Sequence, residues 1–279
     1  RGLYLETDLR FPFSRNHSQT AGIADMTARI LVVNSGNSNA FTGPKGVLKN
    51  EATLKALGET LGVVGESGCG KSMTALSLLR LLPDNAVIQS GQVKLSDVDV
   101  FQLSENQMRS IRGRRISIIF QEPSTSLNPV MTVGDQILEV ISQHTSLKGE
   151  AARGRALEWL TKVGLPEPAR RMSSYPFEMS GGQLQRVMIA IALAAEPDLL
   201  IADEPTTALD VTIQAQILDL LKSLQKERGM AMLLITHDLA EAVALSDRIL
   251  VMSERPGTLI EEIHVAIPDR ANPLQRRKH

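Results

Sequence analysis

Cysteine is nearly absent: Cys69 is the only one among 279 residues. No disulfide can form within the chain, which suits a reducing compartment and excludes a disulfide-stapled scaffold. Aromatic residues are scarce, at 3%. A core must therefore be built from aliphatic side chains, and a hydrophobic content of 43% suffices for one. Neither sign of charge is in excess, with a formal net charge of −1, so there is no electrostatic case for nucleic acid as a partner. The strongest basic cluster, Arg109, Arg112, Arg114 and Arg115, reads as the solvated end of a helix before a strand at residues 116–120. No apolar run approaches the ~18–20 residues of a membrane span. The run 187–195 is too short and is followed by Glu196 and Pro197. The first residues are polar, with Asp8, Arg10 and Arg15, and carry no signal-peptide pattern. Any membrane contact is expected to go through a partner.

What the chain does contain is a pattern that handles phosphate. An apolar run at 61–64 ends at Gly65, and residues 72–82 read as a helix. Between them, Gly65, Gly70, Lys71 and Ser72 meet the spacing G-x-x-x-x-G-K-[ST]. Glycines let successive backbone N–H groups turn inward without a Cβ clash, and the helix N-terminus adds partial positive charge. The whole loop, Gly65, Glu66, Ser67, Gly68, Cys69, Gly70, Lys71 and Ser72, is the candidate nucleotide cradle. Lys71 would reach the β- and γ-phosphates and Ser72 would bind Mg²⁺. A chance match is the plain alternative, and the strand before and helix after weigh against it. Cys69 reads as a small loop filler, with a redox role as the alternative.

A phosphate loop needs a metal-binding carboxylate on a neighbouring strand. Residues 199–202 form an apolar run ending in Asp203 and Glu204. Ligands of parallel sheets bind at the C-terminal edge of the strands. Asp203 would hold Mg²⁺ there, and Glu204 is placed to act as general base on the attacking water. Two solvated acids at a strand end are common by themselves. The loop upstream and Pro205 to Asp210 downstream set this pair apart.

Ser180, Gly181, Gly182 and Gln183 precede an apolar helix running to Leu193. Ser180 can cap that helix, and the two glycines leave its first amides bare for an anion. A serine-capped helix with flexible glycines is the plain reading. His237 follows an apolar strand at 230–236 and precedes a helical stretch at 238–245. It lies at a strand's C-terminal edge, although a lone histidine in such a place is more often capping or buried.

Taken in order, these motifs resemble the ATP-binding subunits of ABC transporters, from about Gly58 to about Glu262. Gln121, opening Gln-Glu-Pro, resembles the family's Q-loop glutamine. Met179-Ser-Gly-Gly-Gln183 resembles the family signature, with Met in place of the usual Leu. Asp210, closing Ala-Leu-Asp, resembles the D-loop aspartate, and His237 the switch histidine. The resemblance implies an α/β P-loop NTPase with a mostly parallel core sheet and an inserted helical subdomain at about 121–179. It implies ATP and Mg²⁺ as ligands, with Ser72, Gln121 and Asp203 at the metal and Glu204, His237 and Gln121 in catalysis. It also implies that Ser180–Gln183 face the nucleotide of a second ABC ATPase domain. The partners implied are permease subunits and, indirectly, an extracytoplasmic substrate-binding protein. The implied location is peripheral, on the cytoplasmic face of the membrane.

Within the family, Gln121-Glu-Pro-Ser-Thr-Ser-Leu-Asn-Pro-Val-Met-Thr-Val-Gly-Asp-Gln-Ile137 resembles importers of di- and oligopeptides and nickel. Residues 247–257 and 259–263 resemble nitrate, sulfonate or taurine importers instead, which keeps that class open. A soluble, non-transport ABC ATPase is a further alternative. The family opens with two strands and an adenine-stacking aromatic, and residues 1–57 show no convincing version of either. Phe41 lies at an approximate position for the aromatic, in the wrong context. Without that stack, an impaired hybrid that binds ATP poorly is another alternative. Residues 28–43 resemble a segment of glutamate/ornithine N-acetyltransferases, whose plain reading is a strand at 30–33 and an Asn/Gly/Ser loop. The domains expected are an atypical segment at 1–57, an ATPase domain at 58–263 and a loose polar tail at 264–279.

Overall fold

The computed structural model describes residues 6–13, 24–31, 59–84, 86, 88, 92–95, 98–254 and 257–266. In chain order the elements are β1 (Glu6–Phe13), β2 (Ala24–Leu31), β3 (Thr60–Val64), α1 (Lys71–Leu78), β4 (Lys94–Leu95) and β5 (Val98–Asp99). There follow α2 (Glu105–Ile111), β6 (Ile116–Ile119), α3 (Pro123–Ser126), α4 (Val133–His144), α5 (Gly149–Lys162), α6 (Pro168–Arg171) and α7 (Gly181–Leu193). Last come β7 (Leu199–Asp203), α8 (Val211–Arg228), β8 (Ala231–Thr236), α9 (Leu239–Leu245), β9 (Arg248–Met252) and β10 (Leu259–His264). They divide into two compact units, residues 1–108 with 229–279, and residues 109–228.

The first unit is organised on β3. It pairs in parallel with β8 on one side and β9 on the other, and β10 pairs antiparallel with β9. Strands covered on both faces read as continuous apolar runs, and β3 and β8 are buried along their whole length. The edge strand β10 is exposed beyond Leu259 and carries Glu261 and Glu262, the polarity that discourages further pairing. Gly62 is bare because a Cβ there would sit 2.5 Å from Ser246 Oγ. At the start of the strands, Thr60 N donates to Asp247 Oδ2 at 2.7 Å and Arg248 pairs with Glu262 at 2.7 Å. This ties the entries of β3 and β9 to the end of β10. Helix α9 packs on β3 and β8.

Two sequence expectations for this unit change. The first concerns the opening strands. Residues 6–13 and 24–31 do form two strands, β1 and β2, paired antiparallel from Glu6↔Leu31 to Phe13↔Ala24. The hairpin lies against β4. Pro12 within β1 removes a ladder donor and hides the strand from pattern reading. Phe41 and residues 32–43 lie outside the described residues, as does most of the tail expected at 264–279. The second change is that α1 stops at Leu78 rather than running to residue 82. Arg80 adopts φ 52°, with Leu81 N donating to Leu76 O at 2.8 Å and Arg80 N to Ser77 O at 3.0 Å. That is a Schellman stop with arginine in the place glycine usually takes. The Arg80 guanidinium is held on Leu103 O at 2.5 Å.

In the second unit β6 and β7 run parallel, from Ile116↔Leu199 to Ile119↔Ala202. Helices α4, α5 and α7 pack together beside them. The single tryptophan, Trp159 on α5, is fully buried, with Lys162 and Arg228 5.5 and 5.1 Å from its ring centroid. Otherwise this core is aliphatic, as the composition requires. Thr132 caps α4, accepting from Asp135 N at 3.1 Å and donating to Asp135 Oδ2 at 2.7 Å. The basic cluster is not simply the solvated end of a helix. Arg115 pairs with Asp198 at 2.6 Å, and its carbonyl accepts from Asp198 N and Leu199 N, so it aligns the starts of β6 and β7.

His144 ends α4 over Gly113, whose backbone is left-handed at φ 78°, and a Cβ on Gly113 would meet His144 Nε2 at 2.7 Å. Burial, and then the charge of Arg114, hold His144 below its ordinary pKa. The folded state thus binds this proton less readily than the unfolded chain. Stability from His144 is present above about pH 6.5 and is lost as pH falls through the lowered value. Denaturant titrations followed by Trp159 fluorescence should show the wild type losing more stability than His144→Gln below about pH 6.5.

Candidate functional site

In the first unit the phosphate loop leaves the sheet beside His237. Val64, the last residue of β3, is the register partner of Thr236, the last residue of β8. Gly65 and His237 therefore follow from the same sheet edge. His237 is exposed there, and Asp238 behind it caps α9 by accepting from Ala240 N at 2.7 Å.

The loop is shaped by one buried ammonium. Lys71 is 4% exposed, and its Nζ donates to Gly65 O at 2.8 Å and Glu66 O at 2.9 Å. A buried charge must be hydrogen-bonded, and here the loop's own carbonyls do it. Gly68 and Gly70 take φ 79° and 113°, conformations that cost L residues about 1–2 kcal/mol. Gly65 is bare for a different reason. A Cβ there would lie 2.9 Å from Cys69 Sγ and 3.0 Å from both Cβ and O of Met252. Cys69 is 1% exposed, so its thiol fills space as the loop-filler reading expects. Behind it, a Cβ on Gly257 would fall 1.9 Å from Cys69 O. Sequence reading did not single out Met252 or Gly257, because nothing in their spacing marks them as the back wall of the loop. Glu66, Ser67 and Gly68 are exposed, and Ser72 is half-buried in the first turn of α1.

The second unit brings Gln121, Asp203 and Glu204 to one sheet edge, because β6 and β7 are parallel and end together. Asp203 is buried and Glu204 half-buried. Glu204 has a left-handed backbone, φ 45°. Its Oε2 accepts from Gln121 Nε2 at 2.9 Å and from Thr207 Oγ1 at 3.0 Å. Thr207 was absent from the sequence-based set. A hydroxyl three residues beyond the glutamate was the only signal for it, and that is weak without coordinates.

Ser180 and Gln183 form a reciprocal capping box at the start of α7. Gln183 N donates to Ser180 Oγ at 3.4 Å, and Ser180 N donates to Gln183 Oε1 at 3.1 Å. Residues 180–183 border a cavity of about 370 Å³ shared with Ala208, Asp210 and Ile213. Asp210 Oδ1 accepts from Thr212 N at 3.1 Å and Ile213 N at 3.0 Å, so it caps α8 at the cavity wall.

A glycine loop organised by a buried lysine, and a strand-end carboxylate pair in a mostly parallel α/β framework, define a P-loop NTPase. The chain belongs to the ABC transporter family, whose match covers residues 51–207, more than half of its length. It is 51% identical to the dipeptide transport ATP-binding protein DppD of Bacillus subtilis, over 70% of this chain and 58% of that one. It is 53% identical to a probable peptide ABC transporter ATP-binding protein of Sinorhizobium fredii, over 75% of this chain and 62% of that one. The chain thus spans about three fifths of these relatives. Among solved structures it resembles the ATP-binding cassette MJ0796, determined as a dimer in a post-hydrolysis state with ADP and Pi. That match has 26% identity and a TM-score of 0.65 over 94% of this chain and 99% of that one.

Gly65→Ala would drive a methyl group into Cys69 and the Met252 backbone. We expect ATP affinity to fall at least about tenfold, as read by titration with a fluorescent ATP analogue.

Proposed function

We propose that this chain is the ATP-hydrolysing subunit of an ABC importer of di- and oligopeptides. The observation that carries the reading is Glu204, on a left-handed backbone and held by Gln121 and Thr207 in a chain over half identical to peptide-transport subunits. On this reading Lys71 exchanges the carbonyls of Gly65 and Glu66 for the β- and γ-phosphate oxygens of ATP. The amides of residues 66–72 cradle the phosphates at the start of α1. Asp203, Ser72 and Gln121 offer carboxylate, hydroxyl and amide oxygens, a hard donor set that fits Mg²⁺. Bound there, Mg²⁺ would neutralise charge on the β- and γ-phosphate oxygens.

Glu204 accepts the proton of the attacking water. The water oxygen bonds to the γ-phosphorus while the bond to the ADP oxygen breaks, and His237 donates to a γ-phosphate oxygen. Ser180–Gln183 and Asp210 form the complementary face offered to the nucleotide of a second ATPase domain. The dimeric cassette among its structural relatives supports that assembly.

No helix among the described residues is long and apolar enough to cross a membrane. On the proposed reading this chain works with permease subunits, bound peripherally on their cytoplasmic side, and solute is delivered by an extracytoplasmic binding protein. The similarity of residues 121–137 to peptide importers and the names of the relatives support peptides over nitrate or sulfonate.

Glu204→Gln should retain ATP binding while steady-state hydrolysis falls by about a hundredfold or more; near-normal turnover would remove Glu204 from the role of base. In proteoliposomes with the permease, ATPase activity should rise with peptide-loaded binding protein and not with a nitrate-loaded one.

A further inference from the structure

Glu204 is constrained from both ends. Its backbone is left-handed at φ 45°, a conformation that persists in a non-glycine residue only when its surroundings over-determine it. Pro205 follows and disfavours the right-handed helical alternative. At the other end, a single carboxylate oxygen, Oε2, accepts from both Gln121 Nε2 and Thr207 Oγ1.

The two donors differ in kind. Thr207 belongs to the same turn as Glu204, and its own N–H donates to Glu204 O at 3.2 Å. Its side chain is β-branched, so χ1 is stiff, and it is half-buried. Gln121 comes from the end of another strand, 83 residues away in sequence, through an exposed amide on a flexible stem. One arm is built into the turn and the other can leave without disturbing it.

We propose that Thr207 is a positioning residue for ATP hydrolysis. Its hydroxyl keeps the Glu204 carboxylate aimed when Gln121 swings away to engage metal and nucleotide. While both arms are in place, the two donors occupy Oε2 and the carboxylate is clasped. When Gln121 departs, one lone-pair direction of Oε2 opens to a proton from water, while the Thr207 hydroxyl still holds that oxygen from within the turn. This rests on Glu204 being the general base. In this role Thr207 acts through Glu204, on which both its hydroxyl and its N–H are held.

The substitutions Thr207→Val and Thr207→Ser separate the hydroxyl from the shape. Valine keeps the branching and volume; serine keeps the hydroxyl. In the full chain, Thr207→Val should lower kcat for ATP hydrolysis about tenfold with KM for ATP within about twofold of wild type, because only transition-state positioning is lost. Thr207→Ser should recover most of that rate. A kcat for Thr207→Val within about twofold of wild type would overturn the proposal, and so would an equal defect in the serine variant. Glu204→Gln is measured alongside. If it hydrolyses ATP normally, the reading of Glu204 as base fails. If it is inactive while Thr207→Val is unimpaired, only the role of Thr207 fails. Thermal unfolding of each variant guards against a trivial loss of structure. A valine variant whose kcat defect simply tracks a lowered Tm, with serine restoring both in proportion, would count against a positioning role.

Discussion

The hydrogen bonds from Lys71 to Gly65 O and Glu66 O are the constraint on which the phosphate loop depends. An ammonium taken out of water must find acceptors, and these two carbonyls can reach it only if the loop folds back over its own helix start. That fold-back brings the loop against Met252 and Gly257 at the end of β9 and just beyond it. Space there is so short that a Cβ on Gly65 would press on the Cys69 thiol and one on Gly257 would strike the Cys69 carbonyl. The positive φ angles at Gly68 and Gly70 complete the turn. Loop shape is thus set by one buried charge and a hard back wall, and the glycines follow from both.

How much of this was legible in the sequence depends on whether the determinant is local. Apolar runs at 61–64, 199–202 and 230–236 became β3, β7 and β8 with boundaries shifted by one residue at most, because strands buried on both faces announce themselves. The caps at Thr132 and Ser180 were legible because capping is chemistry within four residues. The β1–β2 hairpin was not, since Pro12 breaks its pattern and the partner strand carries Asp25, Thr27 and Arg29. Arg80 as a helix stop was not, because its left-handed conformation rests on a carbonyl 23 residues away, Leu103 O. Arg115 looked solvated because its partner, Asp198, lies 83 residues on.

The candidate site divides along the same line. Gly65–Ser72, Asp203 and Glu204 follow from motif spacing. Thr207 and the back wall formed by Met252 and Gly257 do not, because they act by contact. The paired acids at the end of β7 illustrate this. In sequence they are equivalent neighbours, yet Asp203 is buried within the strand and Glu204 stands at a strained backbone with two side-chain donors on one oxygen. Asp203 closes β7 whereas Glu204 lies just past it on a left-handed backbone, and that break in conformation gives the two carboxylates different surroundings. Different surroundings suit the different work that the proposed function asks of them, metal binding for one and proton acceptance for the other.

The start of α7 shows the limit of reading glycines as a single signal. Gly182 is bare because Ile213 of α8 would meet its Cβ at 3.0 Å, whereas Gly181 has only Leu209 within reach, at 3.9 Å. Packing therefore explains the first of these and not the second. Ser180 Oγ is committed to Gln183 N and Asp210 to the amides of α8. The two polar side chains that sequence comparison would assign to a neighbouring nucleotide are, in this state, holding helix starts in place. On the reading proposed here, what α7 offers a partner's phosphate is first of all backbone at its positive end, kept open at Gly181 and held in register by the caps. A second subunit can then be recognised by a surface already formed before the nucleotide arrives.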